Sequence, residues 1–496
     1  MAADSGRKQG GTFALVGLLV GLATGLAAYA IIEFWADRTP DETLAQTILI
    51  FIAASAAAFL LLSERGAAVR AVPAALLIGA ALAVPTYFIA RAANGEAPLD
   101  QFPIIFWFAI GGPLSAYLMT SLAKAALLDR IPPSYPGLFF HGLTLPLIAG
   151  GAWVFAALSM VLLYTWAGLL RSMDVDFFHK LFQEPWFILP FVGAVGGLSI
   201  AMIRGLDSAL GALRFVLLLF CRIAMPITAV FSLTPIVVLL MNGTDAIFSR
   251  PYPGAIMLAL AFAGMLIFNG VYQNGEGGPP PAWLRIATIL ALITFPVYAL
   301  LAASAFWIRI ADYGLTPPRV IGLAMNALAA VYSLVCLAGL LTEINWRGKK
   351  WMPLVAPFNT AMAALWILAL IALATPLANP WAMSAKDQSA RLLSGKVAPD
   401  AFDFSYLRFK LGAPGQRELE KLAKTPESHP ASLAIRTGAT HALSATSPLT
   451  FENGEPTATP ADEPKAPGLN ELEFNPDGDE PEPDPSPATE AADEPF

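Results

Sequence analysis

The chain alternates long apolar stretches with short polar connections. Eleven of those stretches are continuous and near twenty residues, the length that crosses a bilayer as helix. They run over 12–34, 43–63, 71–91, 103–123, 143–170, 186–203, 213–241, 254–272, 283–307, 318–341 and 353–374. Lipid offers no partner to an unpaired peptide group, so each is predicted helical. A β-barrel is excluded because the runs are continuous and do not alternate. Two stretches, 143–170 and 213–241, are longer than one span needs, and the second carries Pro226. The first run exceeds the length of a secretory leader's apolar region and is expected to be retained. Its Gly17, Gly21 and Gly25 recur every four residues on one face, a pattern that lets a second helix approach closely.

Polar patterning divides the remainder. Between the fifth and sixth runs, 171–183 reads as an amphipathic helix in the headgroup region. Its apolar stripe is Val175, Phe178, Leu181 and Phe182, and its polar side is Asp176, His179, Lys180 and Gln183. After Thr375, Ser384 and Asp387 read as a capping box for a helix that Gly395 ends; Asp400 and Asp403 repeat the arrangement, and 416–424 reads as a third helix. Residues 376–425 are thus predicted to form a small helical module that packs on the membrane part through Phe402, Phe404, Tyr406 and Leu407. From Pro426 onward 13 prolines in 71 residues leave too little apolar material for a core, and a disordered acidic tail is expected over 426–496. The expected architecture is an all-α polytopic transmembrane bundle over 1–375, the helical module, and that tail.

Composition sharpens the class. Of 496 residues 56% are hydrophobic and 14% charged, with a mean hydropathy of +0.60, far from the roughly 25% charged of soluble domains. The net charge of −7 is the sum of a body at +6 and a tail at −13. These figures exclude a soluble enzyme, a disulfide-rich secreted module and a basic nucleic-acid binder. Lys and Arg number ten in the loops on the N-terminal side and five on the other, which predicts a cytoplasmic N-terminus and, with eleven spans, an extracytoplasmic C-terminus.

Candidate chemistry is sparse. Cys221 and Cys336 are the only cysteines and both lie in apolar runs, so neither a disulfide framework nor a zinc site is expected. No nucleophile elbow, phosphate loop, zinc-protease helix, dinucleotide glycine set or histidine cluster is present; no cofactor, metal or catalytic residue is predicted. Arg222 is the one full charge that could sit deep in a span. The simpler reading makes 206–222 an interfacial helix with Arg222 snorkelling at the mouth of a span over 223–241. Asn269, Asn326 and Asn359 are expected to link neighbouring helices. Pro85, Pro113, Pro146, Pro226, Pro235 and Pro296 are expected to kink or interrupt theirs.

The sharpest local pattern is Arg309-Ile-Ala-Asp312-Tyr313-Gly314-Leu315-Thr316-Pro317-Pro318-Arg319. Gly314 is predicted to close one helix in left-handed geometry, and Thr316 and Pro317 to open the next. Arg309, Asp312, Tyr313 and Arg319 would gather at the rim. Interfacial charges on a tight hairpin explain that rim; an anion or headgroup site is the functional alternative. The pattern Arg309-x-x-x-Tyr313-Gly314-Leu315-Thr316-Pro317-x-Arg319, with Asn359, Pro376, Pro380, Ser384, Gln388, Leu392, Gly395, Phe402, Asp403 and Leu407, resembles a bacterial membrane family catalogued as domain of unknown function 4153. The resemblance covers about 283–422; earlier spans match mainly in hydropathy, and the acidic tail is an addition. It implies a multi-pass protein of the bacterial cytoplasmic (inner) membrane, and it brings no reaction or site residue with it. The leading expectation is a non-enzymatic envelope protein that acts by association, through 376–425, with an envelope partner. A transporter or lipid-handling protein in contact with membrane lipids is the alternative; nucleic acid is not expected as a partner.

Overall fold

The computed structural model describes residues 2–36, 42–64, 68–93, 102–128, 131–249, 252–345 and 350–445, with backbone only at 2–10, 36 and 343–345. Among the described residues every regular element is a helix. Eleven are long and apolar enough to cross a membrane: α1 (Gly11–Trp35), α2 (Glu42–Leu62), α3 (Ala68–Ala93), α4 (Phe102–Leu128), α5 (Tyr135–Arg171), α6 (Pro185–Ile203), α7 (Asp207–Asn242), α8 (Pro253–Tyr272), α9 (Ala282–Tyr313), α10 (Pro317–Thr342) and α11 (Val355–Leu373). Each falls on one of the predicted runs. The protein is therefore a multi-pass membrane protein with an all-α transmembrane bundle. Trp153 at 73% exposed and Phe231 at 69% show how apolar the outer faces are, surfaces that suit acyl chains and would be untenable in water.

The glycine face of α1 does what its spacing predicts. A Cβ on Gly21 would stand 2.0 Å from the carbonyl oxygen of Gly193, and one on Gly17 would stand 2.4 Å from that of Gly197. Helices α1 and α6 therefore meet backbone to backbone, in a way only glycine permits.

Of the two effects expected of the prolines, interruption does not occur. Pro85, Pro146, Pro226, Pro235 and Pro296 all lie inside helices that continue through them. Pro113 sits just past a π-helical turn, Phe106–Gly111, where the hydrogen-bond register shifts. None of these helices is interrupted, because neighbouring turns tolerate the lost donor. The predicted headgroup helix over 171–183 is also shorter than its stripe suggests. Only Phe177–Leu181 is helical. Val175 lies before that turn, and Asp174 bends the chain at φ +63°.

The C-terminal module comprises α12 (Pro380–Leu393), α13 (Gly412–Leu422) and α14 (Ser432–Ser444). Two sequence expectations change here. Helix α12 starts four residues before Ser384, capped by the Asn379 carboxamide, which accepts from the Trp381 and Ala382 amides. Ser384 is consequently mid-helix and donates to the Pro380 carbonyl at 2.7 Å, so the proposed capping box does not form. Asp403 does cap, accepting from the Tyr406 amide at 2.8 Å. Finally, the module does not stop at residue 425. Helix α14 buries Ile435, Ala439 and Ala442 completely, and Gly438 seats against the Phe404 ring. Its apolar positions recur at helical spacing, a signal hidden by the prolines on either side. Phe404 thus packs against another part of the module. The rest of the predicted tail, 446–496, lies outside the described residues.

Candidate functional site

Antiparallel alternation brings the ends of α2, α4 and α6 and the starts of α1, α5 and α7 to one end of the bundle. There the last carbonyls of α2 have no partner within their own helix. Two distant cations supply one. Lys124 Nζ donates to the Leu61 carbonyl at 3.1 Å, and the Arg204 guanidinium donates to those of Leu60 and Ser63. Positive charge at a helix C-terminus is also favoured by the macrodipole. Lys124, at 5% side-chain exposure, is further held by Glu64 Oε1 at 2.9 Å. Arg204 lies over the Phe13 ring, 4.9 Å from its centroid. Burial pulls this guanidinium below its ordinary pKa range, and the Glu64 carboxylate opposes that shift.

These groups line a cavity of about 480 Å3 with His141, Thr144, Asp207 and Arg214, within the range of about 300–1,000 Å3 typical of ligand pockets. Arg214 donates to Thr144 Oγ1 at 3.0 Å and stacks 4.3 Å from the Phe140 centroid. Among the described residues it makes no ion pair. The cavity therefore carries three cations, Lys124, Arg204 and Arg214, against two carboxylates, Glu64 and Asp207. Such a place can hold an anion through charge-assisted hydrogen bonds. Phe140 and Arg214 also border a second cleft of about 610 Å3 between α5 and α7, mostly apolar, that reaches Arg222.

Arg222 is exposed and lies within an unbroken α7, so no separate interfacial helix ends at it. It shares its surroundings with Gln273, Asn274, Pro281 and Trp351, residues of the loops that close α8 and open α9 and α11. That places Arg222 at the level of those loops and not opposite helix midpoints.

The rim residues of the α9–α10 hairpin turn out to serve a joint. Gly314 adopts φ +80°, ψ −176°, a positive-φ extended form in place of left-handed helix. Its amide closes α9 on the Ile310 carbonyl at 2.9 Å. The turn leaves the Leu315 amide pointing out, and Asp387 of α12 accepts from it at 2.7 Å. Gln388 donates to the carbonyls of Tyr313 and Leu315, and Arg391 to those of Ile310, Ala311 and Asp312. Arg319, 8% exposed, turns inward and donates to the Gly314 carbonyl at 2.8 Å, with its guanidinium 5.7 Å from the Tyr313 centroid. The structure thus brings Tyr313 and Arg319 together. The side chains of Arg309 and Asp312 form no hydrogen bond or ion pair with the described residues. The rim is not a cluster of four facing side chains, and the module docks on the membrane bundle through it.

The asparagines link helices as expected. Asn359 donates to Asn269 at 2.8 Å, Asn269 to the Tyr332 hydroxyl at 2.7 Å, and Asn326 to the Ala299 carbonyl at 3.1 Å. Sequence reasoning counted Lys124 and Arg204 only as loop charges and did not single out Glu64. Their common feature in the sequence is a position within a few residues of a span end on the same side.

No protein-family model, no curated protein and no solved structure matches the chain. The family resemblance therefore rests on the hairpin and module motifs alone.

Proposed function

We propose that this multi-pass protein belongs to the bacterial cytoplasmic-membrane family its hairpin resembles. We propose further that it handles membrane lipid or a related anion by holding a phosphate-class group in the basic cavity. The observation that supports the reading is Arg214, a cation with no ion-pair partner among the described residues, set beside Lys124 and Arg204 in a cavity of about 480 Å3. With the N-terminus in the cytoplasm, the cavity opens at the inner leaflet. Native mass spectrometry of the purified protein, titrated with a fluorescent glycerol-phosphate probe, tests this. Arg214→Ala is expected to weaken binding about ten- to hundredfold, the weight of one charge-assisted hydrogen bond of about 1.5–3 kcal/mol. Unchanged affinity would remove the basis of the reading.

Association with an envelope partner through 376–425 is the second reading. It is favoured by Met383 and Leu393, each 43% exposed on the outer face of the docked helix α12. Met383→Glu with Leu393→Glu is expected to abolish co-purification of that partner while membrane insertion stays intact. An unchanged partner profile would defeat it.

A further inference from the structure

A third cavity lies beneath the basic one. It has a volume of about 280 Å3, is mostly apolar, and is bounded by α2, α3, α4 and α5. Three of those helices, or the residues at their ends, also build the basic cavity. Leu61 lies in the last turn of α2, three residues before Glu64; Thr120 precedes Lys124 by one turn on α4; and on α5 Leu145 and Ala149 of the slot adjoin Thr144 and Ile148 of the cavity. A turn rises about 5.4 Å, so along α4 the apolar slot begins roughly that far below Lys124. Alanines at 57, 58 and 116 leave the space. The slot opens outward beside the exposed Ala57, so an apolar chain can enter it and gain dispersion contacts with its walls.

We infer that the basic cavity takes the headgroup of a diacyl phospholipid of net negative charge, with one acyl chain in the alanine-lined slot. This rests on the anion reading above and adds the ligand's class. Three cations against two carboxylates leave one positive charge, which matches a singly charged phosphodiester. A soluble anion would use the polar cavity alone and gain nothing from the apolar slot. A charged cavity with an apolar slot beside it has the layout of a lipid headgroup and its chain.

The test uses the full-length protein in nanodiscs of zwitterionic lipid, with fluorescent phosphatidylglycerol as the lipid probe and glycerol phosphate as the soluble one. Ala116→Trp fills the slot from α4. Ala57→Trp, from an exposed position on α2, fills it with less risk to folding. Both are expected to weaken phosphatidylglycerol binding at least tenfold while glycerol-phosphate affinity stays at the wild-type value. Arg214→Ala is expected to weaken both probes. Wild-type phosphatidylglycerol affinity in a folded Ala57→Trp protein would overturn the acyl-slot inference and leave the anion reading standing. Equal affinity of the wild type for the two probes, or for zwitterionic and anionic lipid, would also overturn it. Loss of neither probe in Arg214→Ala would overturn the anion reading itself.

Discussion

At the residue scale, the same kind of side chain takes different roles according to which orphan backbone group it meets. Arg391 and Arg204 both finish the C-terminus of a helix far away in sequence, α9 and α2 respectively. Asp387 does the reverse and accepts from an amide that the hairpin turn leaves without a backbone partner. Asp387→Ala should therefore lower stability by about 1.5–3 kcal/mol, since it strands a donor and loses a charge-assisted bond. A thermal unfolding series in detergent would check this, with Asp387→Asn recovering part of the loss. Gly314→Ala should be worse than its size suggests. The added Cβ would sit 2.6 Å from Gln388 Nε2 at a φ of +80°, a conformation that strains any residue with a side chain. Limited proteolysis between α12 and α14 should accelerate in that variant; unchanged cleavage would mean the joint does not hold the module. The motif around Gly314 was legible in sequence as a helix stop and start. Its use was not, because Gln388 and Arg391 lie more than seventy residues away.

At the element scale, helix identity followed from apolar run length, and all eleven predicted runs are helices. Periodicity was more reliable than composition. The every-fourth glycine pattern of α1 named a packing face correctly, though its partner α6 is some 170 residues distant. Replacing Gly21 with Leu should separate α1 from α6, since the new side chain would point into the Gly193 carbonyl. A cysteine pair placed at Ala14 and Ala201, near that crossing, should lose its crosslink in the Gly21→Leu background; retention would show that the contact tolerates bulk. Prolines interrupt no span, and elsewhere they conceal a helix. Inside α3, α5, α7 and α9 they break nothing, because lost hydrogen bonds there are few against the packing that holds each helix. In the C-terminal region they masked α14, whose Ile435, Ala439 and Ala442 are buried.

At the scale of the whole molecule, an odd number of spans puts the two ends of the bundle's chain on opposite sides. If the N-terminus lies in the cytoplasm, as the loop charges predict, the basic cavity faces the cytoplasm and the C-terminal module the opposite compartment. Ser428 is exposed on that module, while Cys221 and Cys336 are buried. Ser428→Cys should therefore react with an impermeant maleimide in intact cells, and the native cysteines should stay silent. Labelling only after lysis would invert the topology and move the basic cavity to the outer leaflet.

The membrane class, the helices and their alternating direction were determined by the sequence alone. Each depends on the local run of apolar side chains, and lipid permits a single backbone solution. Alternation also assigns Glu64, Lys124 and Arg204 to one end of the bundle. Which of them touch was decided only by tertiary packing. Adjacency depends on how α2, α4 and α6 are arranged around one another, and the outward apolar faces of spans look alike in sequence. The same reason kept the slot beneath the cavity out of sight, because a void belongs to the space between helices and to no one of them.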